Sequence, residues 1–127
     1  MMPFMNSMPA IERYRFGKMV IGGKPFTSDL MIISSGDIIQ NWRRRKGHLL
    51  TPDDIKPLLD SHPDLLIVGT GAFGMMKMDP ALGDRPGEPA SGKKTKVMAL
   101  RTGKVIESYN ALLRSSQKMC ACFHLTC

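Results

Sequence analysis

Residues 65–80 read LLIVGTGAFGMMKMDP, and the reading of this stretch decides the fold. Leu65–Val68 is a continuous apolar run with β-branched members, the pattern of an interior strand covered on both faces. Gly69, Gly71 and Gly74 then match the Gly-x-Gly-x-x-Gly spacing of dinucleotide-binding proteins. In those proteins the strand feeds a long helix whose N-terminus holds the pyrophosphate. Here Pro80 allows at most one helical turn after Gly74, because its ring clashes with the carbonyl four residues back. Glu88 lies about where a ribose-binding acid is expected, but within a Gly/Pro-rich loop. Too little chain follows Gly74 for a two-halved nucleotide domain. The favoured reading is a tight turn leaving an interior strand, where glycines permit positive φ. No cofactor is expected.

Downstream, Lys96–Leu100 reads as a second interior strand. Thr102 caps a helix of roughly 103–117, with Val105, Ile106, Tyr109, Leu112 and Leu113 as its buried stripe. Met119–Leu125 closes the chain as a strand. Upstream, Thr51 and Pro52 start a short or kinked helix, limited by Pro57. Residues 11–21 read as a half-exposed strand with Tyr14, Phe16 and Val20 on one side. A turn at Gly22–Pro25 joins it to a partner strand at 28–34, which makes a β-hairpin. A short strand is expected around Ile38–Gln40. Asp79 and Pro80 begin a helix that Gly83, Pro86, Gly87 and Pro89 stop. The order is α/β with a hairpin in front: a flexible tail at 1–10 and a single α/β domain at 11–127.

Composition bounds the function. The 127 residues are 43% apolar and 23% charged, as expected for one soluble domain. No run approaches the length of a membrane span, and the N-terminus lacks the basic start of a secretory leader, so a cytoplasmic protein is expected. Three cysteines near the end do not make a disulfide framework. A net charge of +7 favours an acidic partner.

Four candidate sites follow from residue types. The carboxyl ends of parallel strands are where open α/β sheets bind ligands. A pocket built from the loop Gly69, Thr70, Gly71, Phe73 and Gly74 with Arg101 and Thr102 could accept a small anion. The basic run Arg43–Lys46 beside Trp42 is a nucleic-acid candidate, although a solvated loop is the favoured reading. Cys120, Cys122 and His124 share one face of a strand, with Cys127 close by, and are metal-ligand types. Their i, i+2, i+4 spacing spans too far for one tetrahedron, so buried thiols and a hydrogen-bonded histidine are favoured and no metal is expected. A cysteine nucleophile with His124 as base would need an orienting group that the sequence does not supply.

Several motifs also come in a recognisable order: FGKMVIGGKPFTSDLMI (16–32), VGTGAFGMMKM (68–78), TGKVIESYNALL (102–113) with its Tyr109-Asn110 pair, and FHLTC (123–127). Together they resemble a small domain family of largely unknown biochemistry. It includes the mitochondrial complex I assembly factor 3 and an adipogenesis-associated cytoplasmic protein, with many short prokaryotic members. The resemblance implies a three-layer single domain: a central mixed sheet of about five strands, packing helices and an added β-hairpin layer. It implies no established enzymatic activity and no family-wide catalytic residues, and the family's eukaryotic members act through protein partners. The chain departs from that pattern at 83–93, where Gly and Pro cut a helix short. The expectation is a non-enzymatic, assembly-factor-like protein-binding domain. Small-anion binding at the glycine loop and Arg101, possible enzyme activity there, and nucleic-acid binding at Arg43–Lys46 are the alternatives. Homodimerisation through the hairpin or an open sheet edge is a further expectation.

Overall fold

The computed structural model describes residues 8–45, 47–83 and 95–127. Its sheets are organised by the last strand, and the elements are, in chain order, β1 (Ile11–Arg15), β2 (Lys18–Ile21), β3 (Lys24–Phe26), β4 (Leu30–Ile32), β5 (Ile38–Ile39), β6 (Leu49–Leu50), a 3-10 turn (Pro52–Ile55), α1 (Lys56–Leu59), β7 (Leu65–Thr70), β8 (Lys77–Met78), α2 (Pro80–Gly83), β9 (Lys96–Leu100), α3 (Thr102–Leu112) and β10 (Met119–His124).

Every residue of β10 is buried. It lies parallel to β7, with Met119 opposite Leu65 and His124 opposite Thr70. On its other side it is antiparallel to β4, with Phe123 opposite Leu30. Adding β5 outside β4 and a parallel β9 outside β7 gives the mixed order β5-β4-β10-β7-β9. Because strand side chains alternate between faces, β10 feeds two cores. Met119, Ala121 and Phe123, with Leu125 just beyond the strand, pack with Val105 and Tyr109 of α3 and with Ile11, Met19 and Phe26 of the front layer. Cys120 and Cys122 pack on the opposite face with Trp42, Leu50, Ile55, Leu58 and Leu82. Leu65–Val68 is apolar throughout because β7 is covered by both layers.

The front layer is a three-stranded antiparallel meander, β1-β2-β3. The expected pairing of 11–21 with 28–34 does not occur. The turn falls inside the first run, at Phe16–Gly17, where Gly17 adopts φ +77°. Gly17 also donates its N–H to Leu125 O at 2.7 Å. Arg15 and Lys18 close this turn, and Arg13 faces Val20. Residues 30–32 join the central sheet instead. Phe16 therefore sits at a tip and is exposed, while Val20 shares the cavity wall formed by Arg13, Arg15 and Lys18.

The meander is tied to α3 by the Tyr109-Asn110 pair. Asn110 donates from Nδ2 to Ile11 O and accepts at Oδ1 from Ile11 N–H, both at 2.9 Å. Tyr109 donates its hydroxyl to Pro9 O and sets its ring edge-on to Phe123 at 5.7 Å. α3 ends at Leu112, short of the expected 117, and its N-cap is Arg101 rather than Thr102. The back layer follows its sequence signals. Asp54 accepts from the Thr51 N–H and hydroxyl, each at 2.9 Å, and the helix is split between Ile55 and Lys56 into a 3-10 turn and α1, with Pro57 in the first turn of α1. β6 and β8 form a small parallel pair. The expectation of a shortened helix at 83–93 falls almost wholly outside the described residues, as do Glu88, Lys46 and most of the tail at 1–10.

Candidate functional site

The carboxyl end of β10 gathers more polar groups than any single run of sequence suggests. His124 closes the strand, Asp29 immediately precedes β4, and Arg44 comes from the connection between β5 and β6. Asp29 Oδ2 lies 2.7 Å from His124 Nδ1 and 2.9 Å from Arg44 Nη2. Its Oδ1 accepts the Leu125 N–H at 2.7 Å. Arg44 Nη2 is 3.2 Å from His124 Nδ1, and its guanidinium lies 4.9 Å from the centre of the Trp42 ring. Trp42 is itself fixed, with Nε1–H on Asp54 O and its backbone N–H on Asp29 O.

Burial alone would push the Asp29 carboxyl up. The hydrogen bonds from His124 and the Leu125 N–H, the His124 charge and the guanidinium outweigh it and hold the group below the usual carboxylate range. Tyr14 donates its hydroxyl to Leu125 O at 2.8 Å. Its ionisation is pushed up by burial and then by the nearby Asp29 charge. On the same strand Cys120 is pushed up to about 11 and Cys122 higher still, chiefly by burial. Both are inert thiols, whereas Cys127 is exposed.

The glycine loop leaves β7 beside this cluster. Gly71 has φ +105°, and a side chain there would meet the Cys127 backbone carbonyl and come within 2.8 Å of His124 Cδ2. A Cβ at Gly69 would lie 2.7 Å from Thr102 Oγ1 and 2.8 Å from Phe123. These two positions are glycine because other parts of the protein fill the space. Thr102 is closed from solvent. Its hydroxyl donates to His124 O at 2.7 Å and accepts the Gly71 N–H at 2.9 Å. Arg101 lies over Gly74, whose added Cβ would be 3.3 Å from Arg101 Cγ and 3.6 Å from Thr70 Oγ1. Phe73 turns outward to meet Phe16. All seven loop and helix residues thus sit at one sheet edge, with Thr102 acting as a buried brace rather than as an open pocket wall. Thr102→Val should cost about 1–3 kcal/mol, because it strands both the His124 carbonyl and the Gly71 N–H. A lower urea midpoint with an unchanged m-value would show this.

The basic run is not one surface. Arg43 and Arg45 are exposed, and Arg45 reaches Asp53 only at 4.0 Å. Arg44 turns inward, its side chain 7% exposed. Among the described residues no cluster of three or more His, Cys, Asp or Glu has metal-site geometry. His124 stands out in the sequence, whereas Asp29 does not and Arg44 looks like part of a charged loop. The one local clue to Asp29 is an acid abutting the apolar strand Leu30–Ile32.

The sheet order, the meander in front, the short helices behind and the polar cluster at the strand ends define a three-layer α/β domain. No described helix is long and apolar enough to cross a membrane. The chain belongs to the family described as protein of unknown function (DUF498/DUF598), whose model matches residues 11–124. Its structure is similar to that of a conserved hypothetical protein from Pyrococcus horikoshii, at 30% identity and TM-score 0.73 over 92% of this chain and 98% of that one. It is also similar in fold to MT938, at 22% identity and TM-score 0.76 over 94% and 99%. A Mth938-like domain protein of Bordetella pertussis shares the fold at 17% identity and TM-score 0.60, over 92% and 85%. No curated protein matches the sequence.

Proposed function

We propose that the chain is a protein-binding domain of the assembly-factor kind, acting in the cytoplasm and docking through the end of the molecule where Phe16 and Phe73 meet. The carrying observation is that pair of rings. Phe16 and Phe73 are 54% and 63% exposed, and their centroids lie 6.0 Å apart. They come from two separate turns anchored on one piece of backbone. Gly17 N–H donates to Leu125 O, and Ala72 N–H donates to Thr126 O. A rigid exposed aromatic pair loses little freedom on binding, which suits an interface anchor.

Beside Phe16 lies an open cavity of about 400 Å³ lined by Arg13, Tyr14, Arg15, Lys18 and Val20, with three cations and no acid among the described lining residues. The partner that fits is a protein presenting an apolar socket flanked by carboxylates. The resemblance to a family whose eukaryotic members act through protein partners supports the same reading. The test is quantitative co-purification from the native host with wild type, a Phe16→Ser/Phe73→Ser variant and an Ile39→Ser control on the exposed β5 edge. An acidic partner retained by wild type and the control, and depleted at least tenfold by the double variant with an unchanged fold, supports the proposal. Equal recovery with the double variant overturns it.

A further inference from the structure

We propose that Asp29, Arg44 and His124 form a site for a small oxyanion, a carboxylate or phosphate group, that is taken up together with a proton. This site is independent of the aromatic surface. Arg44 and His124 have side chains only 7% and 6% exposed, and each carries one buried nitrogen without a partner among the described residues, Arg44 Nη1 and His124 Nε2. Native proteins leave few buried polar atoms unsatisfied. The remaining polar atoms of the cluster are paired: Nε of Arg44 donates to Gly47 O, and both Asp29 oxygens accept bonds. The two orphans belong to groups that already touch through Nη2 and Nδ1.

Their chemistry selects the ligand. A guanidinium nitrogen can only donate, so whatever meets Nη1 must accept. The Nδ1 proton of His124 is given to Asp29, which leaves Nε2 as the nitrogen whose proton is optional. Arg44 and Asp29 cancel in charge. An added anion needs one more positive charge, and protonation of Nε2 supplies it. A metal cation would sit against a guanidinium and leave Nη1 unpaired. The location also fits, because the cluster lies at the carboxyl end of parallel strands.

Among the described residues, the other neighbours of this cluster include the Cys127 backbone carbonyl group, which is close to the His124 ring across Gly71. Cys122 is a buried neutral thiol, Gly71 presents only backbone, and Tyr14, which faces Asp29 and Leu125 O, is a protonated phenol. His48 meets the His124 ring nearly edge-on, with centroids 5.5 Å apart, and is itself exposed. It is the side chain that can swing away to admit a ligand, since exposed rotamers exchange on the picosecond to nanosecond scale.

The test is a titration of the full chain carrying 15N-labelled histidine, with sodium formate and inorganic phosphate as separate probes and chloride as control at matched ionic strength. His62, which is exposed, serves as the internal reference. The expected result is saturable conversion of His124 Nε2 from an imine to an N–H nitrogen by at least one oxyanion, with chloride ineffective. Because one proton is taken up with each anion, the half-saturating concentration should rise by up to about tenfold per pH unit. Formate alone would identify a carboxylate site, and phosphate alone a phosphate site. Arg44→Lys should weaken binding at least tenfold, whereas His48→Ala should retain saturation. Should Arg44→Lys fail to fold, proton uptake on mixing unbuffered wild type with the effective anion decides the matter, and its absence counts against the proposal. An unmoved His124, a linear drift equal to that with chloride, or identical binding by folded Arg44→Lys would overturn it.

Discussion

Asp29→Ala is expected to destabilise the protein by about 3–5 kcal/mol at pH 7, the usual cost of leaving a buried charge without its partner. One substitution removes the acceptor for the His124 Nδ1 proton, for Arg44 Nη2 and for the Leu125 N–H. Arg44 keeps its Nε bond to Gly47 O and its place over Trp42, but its buried charge loses the acid beside it. The acid response gives an independent reading. The folded-state carboxyl is held below its ordinary value of 3.8, so its contribution is fully present above that pH and is lost as pH falls through the depressed folded value. Wild type and Asp29→Ala should therefore differ widely in urea midpoint at neutral pH and converge in strong acid. A wild-type midpoint at pH 7 would show that the cluster contributes nothing to the fold.

Gly71→Ala should cost about as much, by a different route. Alanine at φ +105° carries strain of about 1–3 kcal/mol. Its Cβ also meets the Cys127 carbonyl and the His124 ring, and overpacking of this kind adds about 1–3 kcal/mol. The tight neighbour is backbone, so little can give way. Gly22→Ala is the internal control. It has φ +58° but open space around it, so it should lose only about 1 kcal/mol. Thermal unfolding that ranks the two variants equally would mean that the loop relaxes around the new methyl group.

Local physics carried much of the fold into the sequence. Leu65–Val68 is the interior strand its apolar run indicates; Lys96–Leu100 is also a strand, but it lies at the edge of the central sheet with Leu100 exposed, not in the interior position expected of it. Val105 and Tyr109 face the core as the helical period requires. The alternation in Met119–Leu125 separates the two cores as its pattern indicates. What failed was the pairing of strands. Gly22-Gly23 is as strong a turn signal as Phe16-Gly17, and both are turns, so 28–34 lost its expected partner and found β10 some ninety residues away. The small β6-β8 pair has two residues in each strand, too few for any periodicity to register.

The site was hidden for the same reason. His124 lies 80 positions from Arg44 and 95 from Asp29, and no spacing rule links the three. Arg44 looks like its neighbours Arg43 and Arg45, and it is the Trp42 ring beneath it, Asp29 beside it and Gly47 O that hold it inward. The glycine fingerprint was legible as a loop at the right sheet edge. The side chains it makes room for, His124 and Thr102, could be known only once the strands were placed.

The position of β10 has a consequence for how the protein is made. β4 and β7 are not paired with each other; both are paired to a strand that is synthesised after them. Until it emerges, each presents an apolar edge with unpaired backbone groups, the surface most prone to wrong pairing between chains. Joining β4 to β10 closes a very long loop, which places the slow step of folding late. The newborn chain therefore spends its synthesis as an open template, and its yield in the cell will depend on how well those two edges are shielded until β10 slides between them.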